Sequence, residues 1–206
     1  MLYYILVPLA WVLAHIVFRP QVIGRENLIK GRGFILAPNH RSALDPVFIV
    51  LSDGYFWLHK MRIFAKKELF QGKPLLAWFL RQMVAVSVKN GRDDLSTLDN
   101  TIRECRTGRG LLLFPEGTRS KDGKLHKAEA GVGLLAAMSG APVVPACIVG
   151  TDRIMQKGGF LPKLSIMYGE PMHFTGDKRD KEQLEAFSQE IMAHIAAMRE
   201  EIEKIS

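Results

Sequence analysis

The segment Phe34-Ile35-Leu36-Ala37-Pro38-Asn39-His40-Arg41-Ser42-Ala43-Leu44-Asp45 runs from an apolar stretch into a polar turn, and a helical pattern follows from Pro46. Phe34 to Ala37 reads as a buried strand. A second passage of the same kind is the apolar run Gly110 to Phe114 followed by Pro115-Glu116-Gly117-Thr118-Arg119-Ser120. Met83 to Val88, Val143 to Val149 and Leu164 to Tyr168 read as further strands. Helical patterns lie between them at Pro74 to Arg81, Leu95 to Arg106 and Ala128 to Ser139, with Leu95, Leu98, Ile102 and Cys105 on one face of the second. Such alternation predicts an α/β fold: a single domain with a central mixed sheet flanked by helices. Sites in these sheets gather where strands end and helices begin, and both quoted passages hold that position.

From Asp180 the pattern changes. Asp180 can cap a helix with Gln183 three positions on, and Leu184, Phe187, Ile191, Ile195, Met198, Ile202 and Ile205 recur at spacings of three and four. This predicts an amphipathic helix of about six turns that packs across the sheet, with binding a partner helix or lying on the membrane as the competing roles.

The 206 residues suit one domain with a substantial core, and 48% hydrophobic content argues against general disorder. A formal charge of +7 suits anionic lipid headgroups or acidic substrates. It would attract nucleic acid too, yet no zinc-finger spacing or RNA-binding aromatic signature accompanies it, so no nucleic-acid partner is expected. Cys105 and Cys147 form neither a disulfide framework nor a Cys-x-x-Cys pair and read as reduced, buried thiols.

Met1 to Phe18 contains no Asp, Glu, Lys or Arg. As a helix it would extend roughly 27 Å at about 1.5 Å per residue, near the lower limit for crossing a bilayer, and length alone does not separate spanning from shallow insertion. Pro8 would bend or interrupt it, and Tyr3, Tyr4 and Trp11 suit an interface. Arg19, Arg25, Lys30 and Arg32 follow directly, which places the rest of the chain on the cytoplasmic side of a membrane it is associated with. The reading is of an apolar membrane-associated segment at 1–20 ahead of the domain at 21–206, with a packed core helix as the competing reading.

Chemistry concentrates in the two quoted passages. An ionised Asp45 on one imidazole nitrogen of His40 would fix the tautomer and stabilise the imidazolium, freeing the other nitrogen to take a proton from a hydroxyl. Arg119 is the natural bidentate partner of a phosphate. Backbone amides near Gly117 can approach an anion closely, because glycine permits it. Ser42 and Ser120 invite a nucleophile hypothesis, but no Gly-x-Ser-x-Gly elbow exists, and direct attack by an acceptor hydroxyl is simpler. His15, His59, His126, His173 and His194 are scattered without a recognisable ligand spacing, so no metal is assigned. Lys66, Lys67 and Glu68 read equally as a solvated charged turn or as neighbours of a substrate, while Pro142 and Pro145 bracket a strand with edge geometry.

Asn39 to Asp45 and Phe114 to Ser120 resemble the first and third motifs of the glycerolipid acyltransferases, the 1-acylglycerol-3-phosphate acyltransferase (lysophosphatidic acid acyltransferase) family. Phe64-Ala65-Lys66-Lys67-Glu68-Leu69 resembles the segment between the family's first and second motifs, and Ala141-Pro142-Val143-Val144-Pro145 its fourth. The likeness covers most of the chain after about Val22. It is poorest at the second motif, Val84 to Arg92, where either Lys89 or Arg92 stands for the family's arginine.

The resemblance implies transfer of a fatty acyl group to the free hydroxyl of lysophosphatidic acid, 1-acylglycerol 3-phosphate, giving phosphatidic acid. The donor would be a thioester of acyl-carrier protein or coenzyme A, a co-substrate with no further cofactor, and the acceptor would be presented at a membrane phospholipid surface. His40 would act as base with Asp45 orienting it. Glu116, Gly117, Thr118 and Arg119, with Lys89 or Arg92, would bind the acceptor, Glu116 by ordering Arg119 or bonding to glycerol. An acceptor that is another lysophospholipid or a lyso-aminolipid is the alternative, and a catalytically silent membrane-binding homologue is a third reading.

Overall fold

Phe34–Pro38 forms a strand whose five residues are all buried, and it is the middle one of seven sheet strands among the described residues. The computed structural model describes residues 2–52, 61–66, 85–88, 95–120, 122–154 and 162–205. In chain order these form α1 (Leu2–Phe18), β1 (Gln21–Ile23), a 3-10 turn (Arg25–Asn27), β2 (Phe34–Pro38), α2 (Asp45–Ser52), β3 (Met61–Lys66), β4 (Ala85–Val88) and α3 (Leu95–Arg106). They continue with β5 (Gly110–Leu112), α4 (Gly131–Ser139), β6 (Val143–Val149), a second 3-10 turn (Thr151–Arg153), β7 (Ser165–Tyr168) and α5 (Lys181–Ile205).

The strand order is β1-β7-β6-β2-β5-β3-β4. Neighbours run parallel except β6 and β7, so the sheet is mixed, as the sequence predicts. Strand side chains alternate between two apolar layers. Phe34, Leu36, Val144, Ala146, Ile148, Ile166 and Tyr168 face Ala14 of α1 and Phe48, Ile49 and Leu51 of α2. Ile35, Ala37, Leu111, Val143, Cys147 and Met167 face α3, α4 and α5. Coverage on both sides is why these strands are continuous apolar runs.

Two strands fall where none was expected. β1 is a short edge strand, and β3 takes Lys66, the first residue of the anticipated charged turn, into the sheet by pairing it with Val88, after Phe64 with Val86 and Ala65 with Ser87. Pro145 sits within β6, between β2 and β7, and not at a strand margin: Ala37 is its register partner and Gly169 N–H donates to its carbonyl at 2.9 Å. The expected helix at 74–81, together with Lys67, Glu68, Lys89 and Arg92, lies outside the described residues.

Asp180 caps α5 as anticipated. Its Oδ1 accepts the N–H groups of Glu182 and Gln183 at 2.9 and 3.2 Å, and Gln183 Nε2 donates to Oδ2 at 2.7 Å; a cap of this kind stabilises a helix by about 1 kcal/mol. Leu184, Phe187, Ile191, Ile195, Met198 and Ile202 bury the predicted face, but the face ends there, and Ile205 is exposed in the final turn.

α1 presents two faces. Ala14 is buried, Trp11 and Phe18 pack on the same core, and Phe18 meets Phe48 edge-on at 5.1 Å. Leu9, Val12, Leu13, Ile16 and Val17 form an exposed apolar stripe at spacings of three and four. Among the described residues no helix is long and apolar enough to cross a membrane.

Candidate active site

β6, β2 and β5 are parallel neighbours, so their carboxyl ends meet at one edge of the sheet. β2 delivers Asn39 to Asp45 there, β5 delivers Phe114 to Ser120, and β6 delivers Gly150 to Arg153. Asn39, fully buried, extends the β2–β6 pairing with its side chain: Oδ1 accepts Ile148 N–H at 2.7 Å and Nδ2 donates to Ile148 O at 3.1 Å. With both polar ends satisfied, this amide is held in the core and fixes the backbone that leads into His40.

His40 Nδ1 lies 2.9 Å from Asp45 Oδ2. The same oxygen accepts the N–H groups of Arg41 and Ser42, each at 2.7 Å, and Oδ1 accepts the Thr151 hydroxyl. Asp45 is the first residue of α2 and 0% exposed, so its carboxylate is solvated by the protein alone. Acceptance at Oδ2 places the ring proton on Nδ1 and leaves the Nε2 lone pair without a partner among the described residues. Phe114 stacks on the imidazole with centroids 3.8 Å apart and planes 18° from parallel, which holds the ring plane from the β5 side. The His40 side chain remains 16% exposed, so the dyad opens to solvent through the imidazole.

Glu116 bonds to backbone amides that the sequence did not point to. Its carboxylate accepts His40 N–H at 2.8 Å and His126 N–H at 3.0 Å, and the residue is 5% exposed. Each oxygen accepts one part-buried backbone amide. Glu116 therefore ties the second passage to the first, and Ser120 N–H, donating to His40 O at 2.9 Å, makes a second tie. The turn between them is pinned by Gly117 N–H to Phe114 O at 3.1 Å, with Gly117 at φ +67. A Cβ there would come within 3.0 Å of the Glu129 side chain. Gly117, Thr118 and Arg119 project outward, and Arg119 has no charged partner among the described residues.

Beyond Ser120 the loop is held by Asp122, whose Oδ1 accepts Lys124 N–H at 3.1 Å, Ser120 Oγ at 3.0 Å and His126 Nε2 at 3.0 Å. The Lys124 amide first, then the His126 and Ser120 side chains, hold this exposed carboxyl down at about 2. Arg199 of α5 donates to Gly123 O at 3.1 Å and so docks the loop on the body of the protein.

The structure thus brings His40, Asp45 and the Glu116 to Arg119 turn to one place. Ser42 serves the turn, its Oγ accepting Leu44 N–H at 3.2 Å. Phe114 and Thr151 were missed as site residues. The stacking of Phe114 had a local hint in its place directly before the turn; Thr151, 106 residues from Asp45, had none.

The fold agrees with what comparison with known proteins finds. A model of the acyltransferase family matches residues 19–149, and the chain belongs to that family. Among its relatives is a chloroplastic 1-acyl-sn-glycerol-3-phosphate acyltransferase of Brassica napus, 33% identical over 146 residues that make up 68% of this chain and 40% of the relative. The chain thus spans less than half of that protein's length. Another, the 1-acyl-sn-glycerol-3-phosphate acyltransferase of Bacillus subtilis, is 29% identical with 90% of each chain covered. The crystal structure of the 1-acyl-sn-glycerophosphate acyltransferase of Thermotoga maritima superposes with a TM-score of 0.72 at 25% identity, covering 98% of this chain and 81% of that one.

Proposed function

We propose that the protein acylates the free hydroxyl of 1-acylglycerol 3-phosphate from an acyl thioester, yielding phosphatidic acid. The observation that carries this reading is the His40–Asp45 dyad, its Nε2 without a partner among the described residues, tied through the Glu116 carboxylate to the turn that exposes Arg119. Nε2 takes the hydroxyl proton as the oxygen attacks the thioester carbonyl. The buried Asp45 carboxylate steadies the imidazolium that results. Collapse of the tetrahedral intermediate expels the thiolate, which receives the proton back from Nε2. Arg119, with the exposed Thr118 side chain beside it, holds the acceptor phosphate. Lys89 or Arg92 adds a second cation to that grip.

The acyl donor in this reading is a thioester of coenzyme A or acyl-carrier protein. The acceptor is met at a phospholipid surface, with the exposed stripe of α1 against the lipid and the domain on the cytoplasmic side. Incubating the purified protein with a labelled acyl thioester and a panel of acceptors tests the proposal. Phosphatidic acid should form from the phosphate monoester. Label appearing only in phosphodiester or aminolipid products would replace it with the acceptor alternative, and no transfer to any acceptor would end it.

A further inference from the structure

The turn after β6 reaches the dyad from behind, and nothing in the acyl-transfer reading uses it. Gly150 sits at φ +98, and a Cβ on it would fall 2.3 Å from Lys163 O, so only glycine lets the chain leave β6 in this direction. The 3-10 turn that follows places Thr151, 1% exposed, with its hydroxyl donating to Asp45 Oδ1. Asp152, the next residue, pairs with Arg41 at 3.1 Å. One turn therefore grips both sides of the dyad: the carboxylate behind the imidazole and the residue after it.

Three donors converge on Asp45 Oδ2, whereas Thr151 is the sole donor on Oδ1 among the described residues. Without the hydroxyl, Oδ1 would be a buried anionic oxygen with no partner, a costly state that a small rotation of the carboxylate relieves by weakening its bond to His40. We infer that Thr151 is a positioning residue for the base: its hydroxyl fixes the rotation of the Asp45 carboxylate and shares its charge, so that Oδ2 stays aligned with His40 Nδ1. This rests on the acyl-transfer reading only for its kinetic consequence; the hydrogen-bond relay itself does not depend on the substrate.

Charged groups bordering the dyad are Glu116 at the His40 amide, the Arg41–Asp152 pair beside the turn, and Arg119 in the turn after β5. Replacing Thr151 leaves all of them in place. Thr151→Val keeps the shape and removes the donor, Thr151→Ser keeps the donor, and Thr151→Ala is a second hydroxyl-free variant should the valine protein not fold. We expect kcat of the hydroxyl-free variant to fall about tenfold or more, the scale of a hydrogen bond to a charged group, with acceptor KM little changed. The acid limb of its pH–rate profile should move to lower pH, because a carboxylate turned away from Nδ1 stabilises the imidazolium less. Serine should restore both.

The downfield proton resonance of the His40 Nδ1–H bond gives a readout without substrate: it should shift in the hydroxyl-free variant and return in the serine protein. Wild-type kcat and an unmoved acid limb without the hydroxyl would overturn the inference. So would a loss of rate with neither limb nor resonance displaced, since that is the mark of a structural role alone. If wild type transfers no acyl group, the acyl-transfer reading fails while the resonance still decides the relay.

Discussion

Glu116 Oε1 accepts the backbone N–H of His40 at 2.8 Å, across 76 residues of chain. A residue expected to order Arg119 or to bond to glycerol also joins the two halves of the site, with its other oxygen on His126 N–H. Glu116→Gln tests this. Its amide can accept one of these N–H groups but turns a donor toward the other, which loses a charge-assisted bond at a cost of about 1 kcal/mol. Thermal unfolding should show a lowered Tm, and kcat should drop more than acceptor KM rises. An unchanged Tm with a raised acceptor KM would return Glu116 to the glycerol.

The dyad makes its own prediction. His40→Ala should reduce transfer by about 10² to 10⁴, the usual worth of a general base. The fold should be retained, because the imidazole contributes its stack on Phe114 and little to the apolar layers. Asp45→Asn should be worse for stability. Its amide NH₂ would face N–H donors that now converge on a carboxylate. Stopped assays paired with circular dichroism separate the two effects. Near-normal turnover in folded His40→Ala would remove His40 from the chemistry.

Arg119 is exposed and free of a charged partner among the described residues, so its guanidinium is available to a ligand. A phosphate monoester carries close to two charges at neutral pH and offers two open oxygens to a planar fork. Arg119→Lys keeps the charge and loses the fork. Efficiency with 1-acylglycerol 3-phosphate should fall mainly through acceptor KM, with donor KM steady. Steady-state kinetics on matched monoester and diester acceptors measure it, and unchanged monoester kinetics would take Arg119 out of the headgroup site.

Deleting α1 would also strip Ala14 and Phe18 from the core, so its outward face is better probed by substitution. Leu13→Asp and Ile16→Asp change residues 52% and 64% exposed. Flotation with anionic phospholipid vesicles should fall markedly, while Tm stays within a few degrees. Undiminished flotation would mean that this stripe does not touch lipid.

Burial lifts the Cys147 thiol to about 12 and the Cys105 thiol to about 11. An unfolded thiol loses its proton near 8.5, so above about pH 8.5 the unfolded chain binds fewer protons than the native one and stability declines as pH rises toward the native values. Iodoacetamide at pH 8 should leave both cysteines unmodified in native protein and label both in denaturant. Tm should fall with a shallower slope above pH 8.5 in Cys147→Ala than in wild type. Rapid native labelling would contradict their burial.

The sequence by itself determined the central strands, the capped helix that begins after Asp180, and the local pairing of His40 with Asp45. Each depends on neighbours a few residues apart: apolar runs, a capping side chain, or a turn of five residues. It missed β1 and β3, because short or charged strands acquire their character from pairing partners and not from their own pattern. Glu116, Phe114 and Thr151 were decided by tertiary structure alone. Parallel alignment of β6, β2 and β5 gathers three chain segments at one sheet edge, and only there does a buried carboxylate find amides from two of them. Sequence chemistry named the groups able to transfer a proton or hold an anion; long-range packing chose which of them face solvent and which are consumed in holding the others still.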